Sequence, residues 1–222
     1  MLLLHAKTLE SIGRIPRSSE HLADDALELI DKLGPQVCEV FLVSHNWLQP
    51  SLDALKAHPD TPGHDKARAI IEFATWRKKW VLKTHKFEPE ILFWIDYACF
   101  DQDRGLEAGF ALLPLWVACC ERVLCIETDA YHGRAWCRLE LLLSHCFSFA
   151  DHQTVISLGY RNTWPATGTK EHRTLLDPAD GAVTNPNDRK ALADLVAAAL
   201  AAPRDDRPAI VFRETATVCF TL

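Results

Sequence analysis

The fold class predicted by this sequence is α/β, a parallel sheet flanked by helices, and three observations carry it. Short β-rich apolar runs alternate with longer segments of helical periodicity. Those runs are apolar on both faces, as strands covered by helices must be. Of the 222 residues 48% are hydrophobic and 24% charged, enough apolar side chain for a core and too much for a disordered chain.

The elements follow in order. Residues 1–35 are expected to form a helical extension. Ser18 or Ser19 is placed to cap a helix with Leu22, Ala26, Leu29, Ile30 and Leu33 on its apolar face, and Gly34-Pro35 stops it. Residues 36–222 then read as one α/β domain. Its first strand is expected at 37–44, followed by a Pro- and Asp-rich loop over 49–65 and a helix whose face repeats at Ala67, Ile70, Ile71, Ala74 and Lys78. The second strand falls at 91–96, a helix at 106–120 and the third strand at 122–126. A helix over 136–147, a fourth strand at 154–158, a long loop at about 160–187, a helix over 188–201 and a fifth strand at 209–212 complete the pattern.

Charge and apolar runs exclude several functions. Lys and Arg total 24 against 30 Asp and Glu, a net charge of −6 that opposes a polyanion, and no Lys/Arg run is taken as dense enough to offset it, so nucleic acid is not an expected partner. The longest nearly unbroken apolar stretch, residues 110–120, contains Pro114 and falls short of the roughly 18–20 residues of a membrane span. Met1-Leu2-Leu3-Leu4 meets His5, Lys7 and Glu10 at once, unlike the apolar core of a secretion signal, so a cytoplasmic location is expected. Eight cysteines occur without a CxxC pair, and they read as reduced, mainly buried thiols, Cys119 and Cys120 included.

In an open parallel sheet, ligands bind beyond the carboxyl ends of the strands, where strand order reverses. With a flavodoxin-like order of 2-1-3-4-5, the loops after the first and third strands face that crevice. The residues there are Ser44, His45, Asn46 and Trp47 after the first strand, Asp96 after the second and Thr128 after the third. No GxGxxG or GxxxxGK[ST] loop is present, so a nucleotide, if bound, is not held in the usual dinucleotide manner. On the helix after the third strand, Leu139, Leu142, Leu143 and Cys146 make the core stripe, and Glu140 falls at its margin beside Trp136 and Phe147. The bland account of Glu140 is a first-turn carboxylate stabilised by the helix dipole. The sharper one is a partly desolvated carboxylate facing a ligand.

The block from Tyr131 to Leu141, YHGRAWCRLEL, resembles the YxxxxWCxxEL signature of TIR (Toll/interleukin receptor/resistance protein) domains in their plant and microbial form. Two further blocks agree in order: EVFLVS at 39–44 is similar to the family's first strand, and FWID at 93–96 to its second. The stretch 118–126, ending CERVLCI, stands where the family carries its third-strand segment. The resemblance covers residues 37–160 and is specific mainly at the Trp-Cys-x-x-Glu block. It implies a NAD⁺ glycohydrolase that cleaves the nicotinamide–ribose bond to give nicotinamide and ADP-ribose, or a cyclic or variant form, in immune, stress or cell-death signalling. It also implies Glu140 as the catalytic residue. Ser44, His45, Asn46, Trp47, Asp96, Thr128 and Trp136 are then the expected NAD⁺-contacting residues, with Trp136 or Trp47 stacking on a ring. NAD⁺ is substrate here, and no bound cofactor or metal is expected. Residues 96–104 occupy the place of the BB loop, which in the family mediates self-association into dimers or filaments and gates the site. The sequence departs from the family in His45-Asn46-Trp47, in a longer link to the second strand, and in lacking the usual BB-loop glycine.

Other readings compete. Many TIR domains act only as scaffolds through homotypic association. Deoxyribosyltransferase-like enzymes share the sheet and use a Glu, but the Trp-Cys-x-x-Glu block argues against them. A Cys–His hydrolase from Cys99 or Cys137 with His45 or His132 is a further candidate, as is a zinc site from His132, Cys137, His145 and Cys146. Cys137 and His145 fall on different helix faces, which disfavours the zinc site.

Overall fold

The computed structural model describes residues 1–53, 56–101, 109–147, 153–157, 174–202 and 218–219. Two compact units make up the chain: Met1–Val43 with Trp47–Leu106, and Ser44–Asn46 with Glu107–Leu222.

The first unit carries a mixed sheet, which corrects the expectation of a purely parallel one in the order 2-1-3-4-5. Strand β1 (Leu2–His5) runs antiparallel to the two-residue strand β2 (Asp24–Asp25) and to β4 (Glu90–Trp94), with Leu4 opposite Phe93. Strand β3 (Cys38–His45) runs parallel to β4, with Val40 opposite Leu92, so the order within this unit is β2-β1-β4-β3. The run Leu2–His5, only four residues long, forms a strand within the expected helical extension. Its Leu3 and Leu4 are fully buried, and an antiparallel neighbour needs no crossover helix to reach its place. At the first residue of β4, the Glu90 carboxylate accepts from Lys7 Nζ at 2.8 Å and lies 3.1 Å from His5 Nε2.

Residues 1–35 also differ in their helices. Helix α1 (Ala6–Ile12) ends at Gly13, whose φ of 67° is the left-handed conformation that glycine adopts freely. Ser18 opens a single 3-10 turn, and the cap of α2 (Ala26–Leu33) is Asp25, whose carboxylate accepts from Leu27 N at 2.9 Å. Gly34-Pro35 ends α2 as expected. Helix α3 (Asp65–His85) buries Ala67, Ile70, Phe73, Ala74 and Val81, and Phe73 meets Phe41 of β3 edge-on at 5.1 Å. Arg77 and Glu39 add a two-pronged ion pair at 2.7 Å, both side chains nearly buried. Helix α4 (Asp96–Cys99) follows β4, so the first residues at the BB-loop position are helical, and 102–104 lie outside the described residues.

In the second unit, β5 (Arg122–Glu127) pairs in parallel with β6 (Gln153–Ser157), with Cys125 opposite Val155. Helices α5 (Leu113–Cys119), α6 (Ala135–Phe147) and α7 (Asp188–Ala201) belong to this unit. The described part of the long loop is ordered around the start of α6. Ala182 N donates to Gly133 O at 2.8 Å, and Ala135 N donates back to Ala182 O at 3.0 Å. A Cβ on Gly181 would stand 2.5 Å from the Ala135 backbone, so only glycine fits this approach. Strand β7 (Thr174–Leu175) pairs with β8 (Val218–Cys219). The fifth strand expected at 209–212 lies outside the described residues. Cys120 is buried, but Cys119 is exposed, which corrects the expectation that both thiols are covered. No described helix is long and apolar enough to cross a membrane.

Candidate functional site

Among the described residues, Glu140 is the buried carboxylate of the second unit. It stands beyond the first turn of α6, which holds no acidic residue, so the helix-dipole account of its presence fails. With 8% of its surface exposed, it needs partners inside the protein. Ser44 Oγ donates to Glu140 Oε2 at 2.6 Å, and Tyr131 Oη lies 2.5 Å from the same Ser44 oxygen.

The direction of this chain follows from proton counting. A serine hydroxyl has one proton, and Ser44 gives it to the carboxylate, so Tyr131 is the donor to Ser44. Burial pushes the Tyr131 phenol well above its ordinary range, with Cys125, Cys137 and Glu140 adding to the effect, which keeps the phenol protonated for that role. Tyr131 and Ser44 are both fully buried. The relay Tyr131 to Ser44 to Glu140 holds one carboxylate oxygen by side-chain hydroxyls. Tyr131 heads the block that carries the TIR resemblance, yet the sequence does not single it out as a site residue. Its position nine residues before Glu140 gives no periodic signal, because it stands in a 3-10 turn ahead of α6.

The other expected site residues fall into two groups. In the second unit, Thr128 Oγ1 donates to Asn46 Oδ1 at 2.8 Å, which joins the segments after β3 and β5, and His45 is buried. Trp136 donates from its indole to Asp188 at 2.9 Å, and Phe110 stacks on its ring at 4.3 Å. In the first unit, Trp47 donates to Asp96 Oδ2 at 2.8 Å, and Tyr97 N donates to Asp96 Oδ1 at 2.6 Å. Tyr97 meets the Trp47 ring edge-on at 5.4 Å.

The competing chemistries find less support. Burial pushes the Cys99 thiol up to about 12, opposite to the low value a thiolate nucleophile needs. His132 lies 3.0 Å from Glu127, and among the described residues no group of three or more His, Cys, Asp or Glu side chains gathers to hold a metal ion. No protein-family model, curated protein or solved structure matches this chain.

Proposed function

We propose that residues 36–222 are a TIR-like NAD⁺ glycohydrolase with Glu140 as its catalytic carboxylate. The observation that carries this reading is the buried Glu140, tied through Ser44 to Tyr131 next to the residues that follow β3 and β5. Nicotinamide leaves NAD⁺ as a neutral pyridine from a cationic precursor, so no acid is needed to protonate the leaving group, unlike a sugar alkoxide. The carbon–nitrogen bond breaks with its electron pair going to nicotinamide. Positive charge then builds on the ribose, and Glu140 stabilises it by charge and by hydrogen bonds to ribose hydroxyls. Water adds to the ribosyl carbon and gives up its proton, leaving ADP-ribose. An internal nucleophile in place of water gives the cyclic form. Ser44 is a positioning residue here, fixing the carboxylate orientation. NAD⁺ is the substrate, and homotypic association through the region around 96–104 belongs to the same reading.

A second reading, a scaffold that acts by self-association, is favoured by the same burial. With one oxygen already bonded and little surface open, Glu140 has the satisfied environment of a structural residue. One experiment separates the two. The full chain at high concentration is incubated with NAD⁺ and nicotinamide release is followed by chromatography, with the Glu140→Gln variant alongside. Release that depends on Glu140 supports the enzyme; intact NAD⁺ beside a self-associating protein leaves the scaffold.

A further inference from the structure

The acidic net charge of the chain hides a basic segment. Between Arg77 and Lys86 there are five Lys or Arg residues and no acid, in the second half of α3 and its cap. Arg77 is used internally by Glu39, but Lys79, Lys83 and Lys86 are exposed and, with Leu82, recur at the i, i+3, i+4, i+7 spacing of one helix face. Among the described residues neither Lys79 nor Lys83 is paired with an acid. Apolar surface is interleaved with this charge: Leu82 is 49% exposed, and Phe87, just past the helix end, 38%.

The ordinary explanation is that cations near a helix C-terminus complement its dipole. It covers Lys83 and Lys86 but not Lys79, which lies before the last turn, and it gives no reason for exposed Leu82 and Phe87. Lys86 adds a further observation. It closes α3 with a φ of 66°, in the left-handed position where glycine is the usual residue, its N–H donating to Leu82 O at 3.1 Å. Its ammonium donates to Lys83 O at 2.9 Å, across the helix end, at a position where the backbone favours a residue with no side chain.

We infer that this face of α3 is a peripheral docking surface for an anionic lipid bilayer. The lysines sit against acidic headgroups, and Leu82 and Phe87 enter the boundary below them. Lysine clusters on a helix with interleaved Leu and aromatic side chains have the chemistry of interfacial anchoring. A nucleic-acid groove is less well served: Phe87 offers a ring, but Leu82, the more exposed apolar side chain of the face, has none to stack on a base. An acidic protein surface gains nothing from two exposed apolar side chains unless it presents an apolar counterpart.

The test is co-sedimentation of the full chain with phosphatidylcholine vesicles, with and without phosphatidylserine, in low salt. Binding is expected only with phosphatidylserine present. Each of Lys79→Gln and Lys83→Gln is expected to weaken it about fivefold. Lys86→Gly is expected to weaken it by a similar factor with no loss of thermal stability, since glycine suits the cap. Leu82→Gln keeps every charge and is expected to weaken vesicle binding about fivefold while leaving any binding to polyuridylate unchanged. Equal sedimentation with neutral vesicles overturns the proposal, as does indifference to Leu82→Gln. Absence of binding to phosphatidylserine vesicles, with polyuridylate or polyglutamate bound by the full chain, also overturns it and assigns the face to nucleic acid or to an acidic protein.

Discussion

Asp60 in the first unit and Glu140 in the second are both buried carboxylates; Asp60 accepts from backbone amides, and Glu140 accepts from a side-chain hydroxyl. Asp60 is fully covered and accepts from three backbone amides, Thr61 N at 2.7 Å and Lys66 N and Ala67 N at 2.9 Å, two of them from the first turn of α3. Those amides have no partner within the helix, so Asp60 completes the α3 N-terminus from five residues before it begins. Glu140 instead accepts from a side-chain hydroxyl that is itself held by another. Backbone donors are spent on the fold. Hydroxyl donors rotate and exchange protons. On the reading proposed above, Glu140 carries chemistry and Asp60 architecture, and variants of the two separate those roles.

The sharpest way to break the contrast is Glu140→Gln. The amide keeps the volume and still accepts from Ser44, so the fold is expected to persist, with a stability change of about 1 kcal/mol or less. In the proposed mechanism the charge that faces the developing ribosyl cation is gone, and removing one preorganised electrostatic group is expected to cost about 10² to 10³ in kcat. Steady-state nicotinamide release together with a thermal melt checks both halves. Loss of the fold with the activity would place Glu140 beside Asp60 as an architectural acid.

The mirror experiment is Asp60→Asn. The new NH₂ group faces amides that need an acceptor, and a stability loss of about 2 kcal/mol is expected by urea unfolding. Turnover per folded molecule is expected to stay at the wild-type level. A large kcat effect with unchanged stability would reverse the assignments of the two acids.

Ser44→Ala lies between them. It removes the oxygen that joins Tyr131 to Glu140 and leaves a phenol donor and a carboxylate acceptor in a buried place, at a cost of about 1–2 kcal/mol. As a positioning residue, Ser44 is expected to lower kcat with little change in KM. Ser44→Thr, which restores a hydroxyl, is expected to recover part of it. A stability loss with kcat unmoved would make the relay structural.

How far the sequence foretold this depends on which signals are local. Helix α6 was expected at 136–147 and runs from Ala135 to Phe147, and α7 was expected over 188–201 and lies there, because periodic apolar faces and turn residues act over a few positions. Strand β1 was missed because four residues carry too little pattern, and its antiparallel place is decided by β4, more than eighty residues away. The Ser44–Glu140 pair was legible only as two residues at strand and helix edges. Their contact across ninety-six positions, with Tyr131 as third member, is a property of packing. The basic run at 77–86 was visible but diluted by the net charge of the whole chain, which averages away a face that only the helix collects.

A surface acid gives the baseline against which both buried ones are measured. Glu20 accepts from Arg14 at 2.8 and 2.5 Å and from Arg17 N at 2.7 Å, and these bonds hold its carboxyl at about 2, below an ordinary value of 4.5. A carboxyl lowered on folding stabilises the protein above its unfolded value, and that contribution fades as the pH falls from about 4.5 towards 2. Because both side chains are about a third or more exposed, solvent screens the pair, and its worth is about 0.5 kcal/mol rather than what the shift alone suggests. Glu20→Gln is therefore expected to lower stability by that amount at pH 7 and in low salt. The two proteins are expected to converge by pH 2 or in concentrated salt, as read by urea unfolding midpoints. A difference that persists at pH 2 would mean that the bond to Arg17 N shapes the turn after α1 independently of charge. Glu20 would then belong with Asp60, among the acids that serve the backbone.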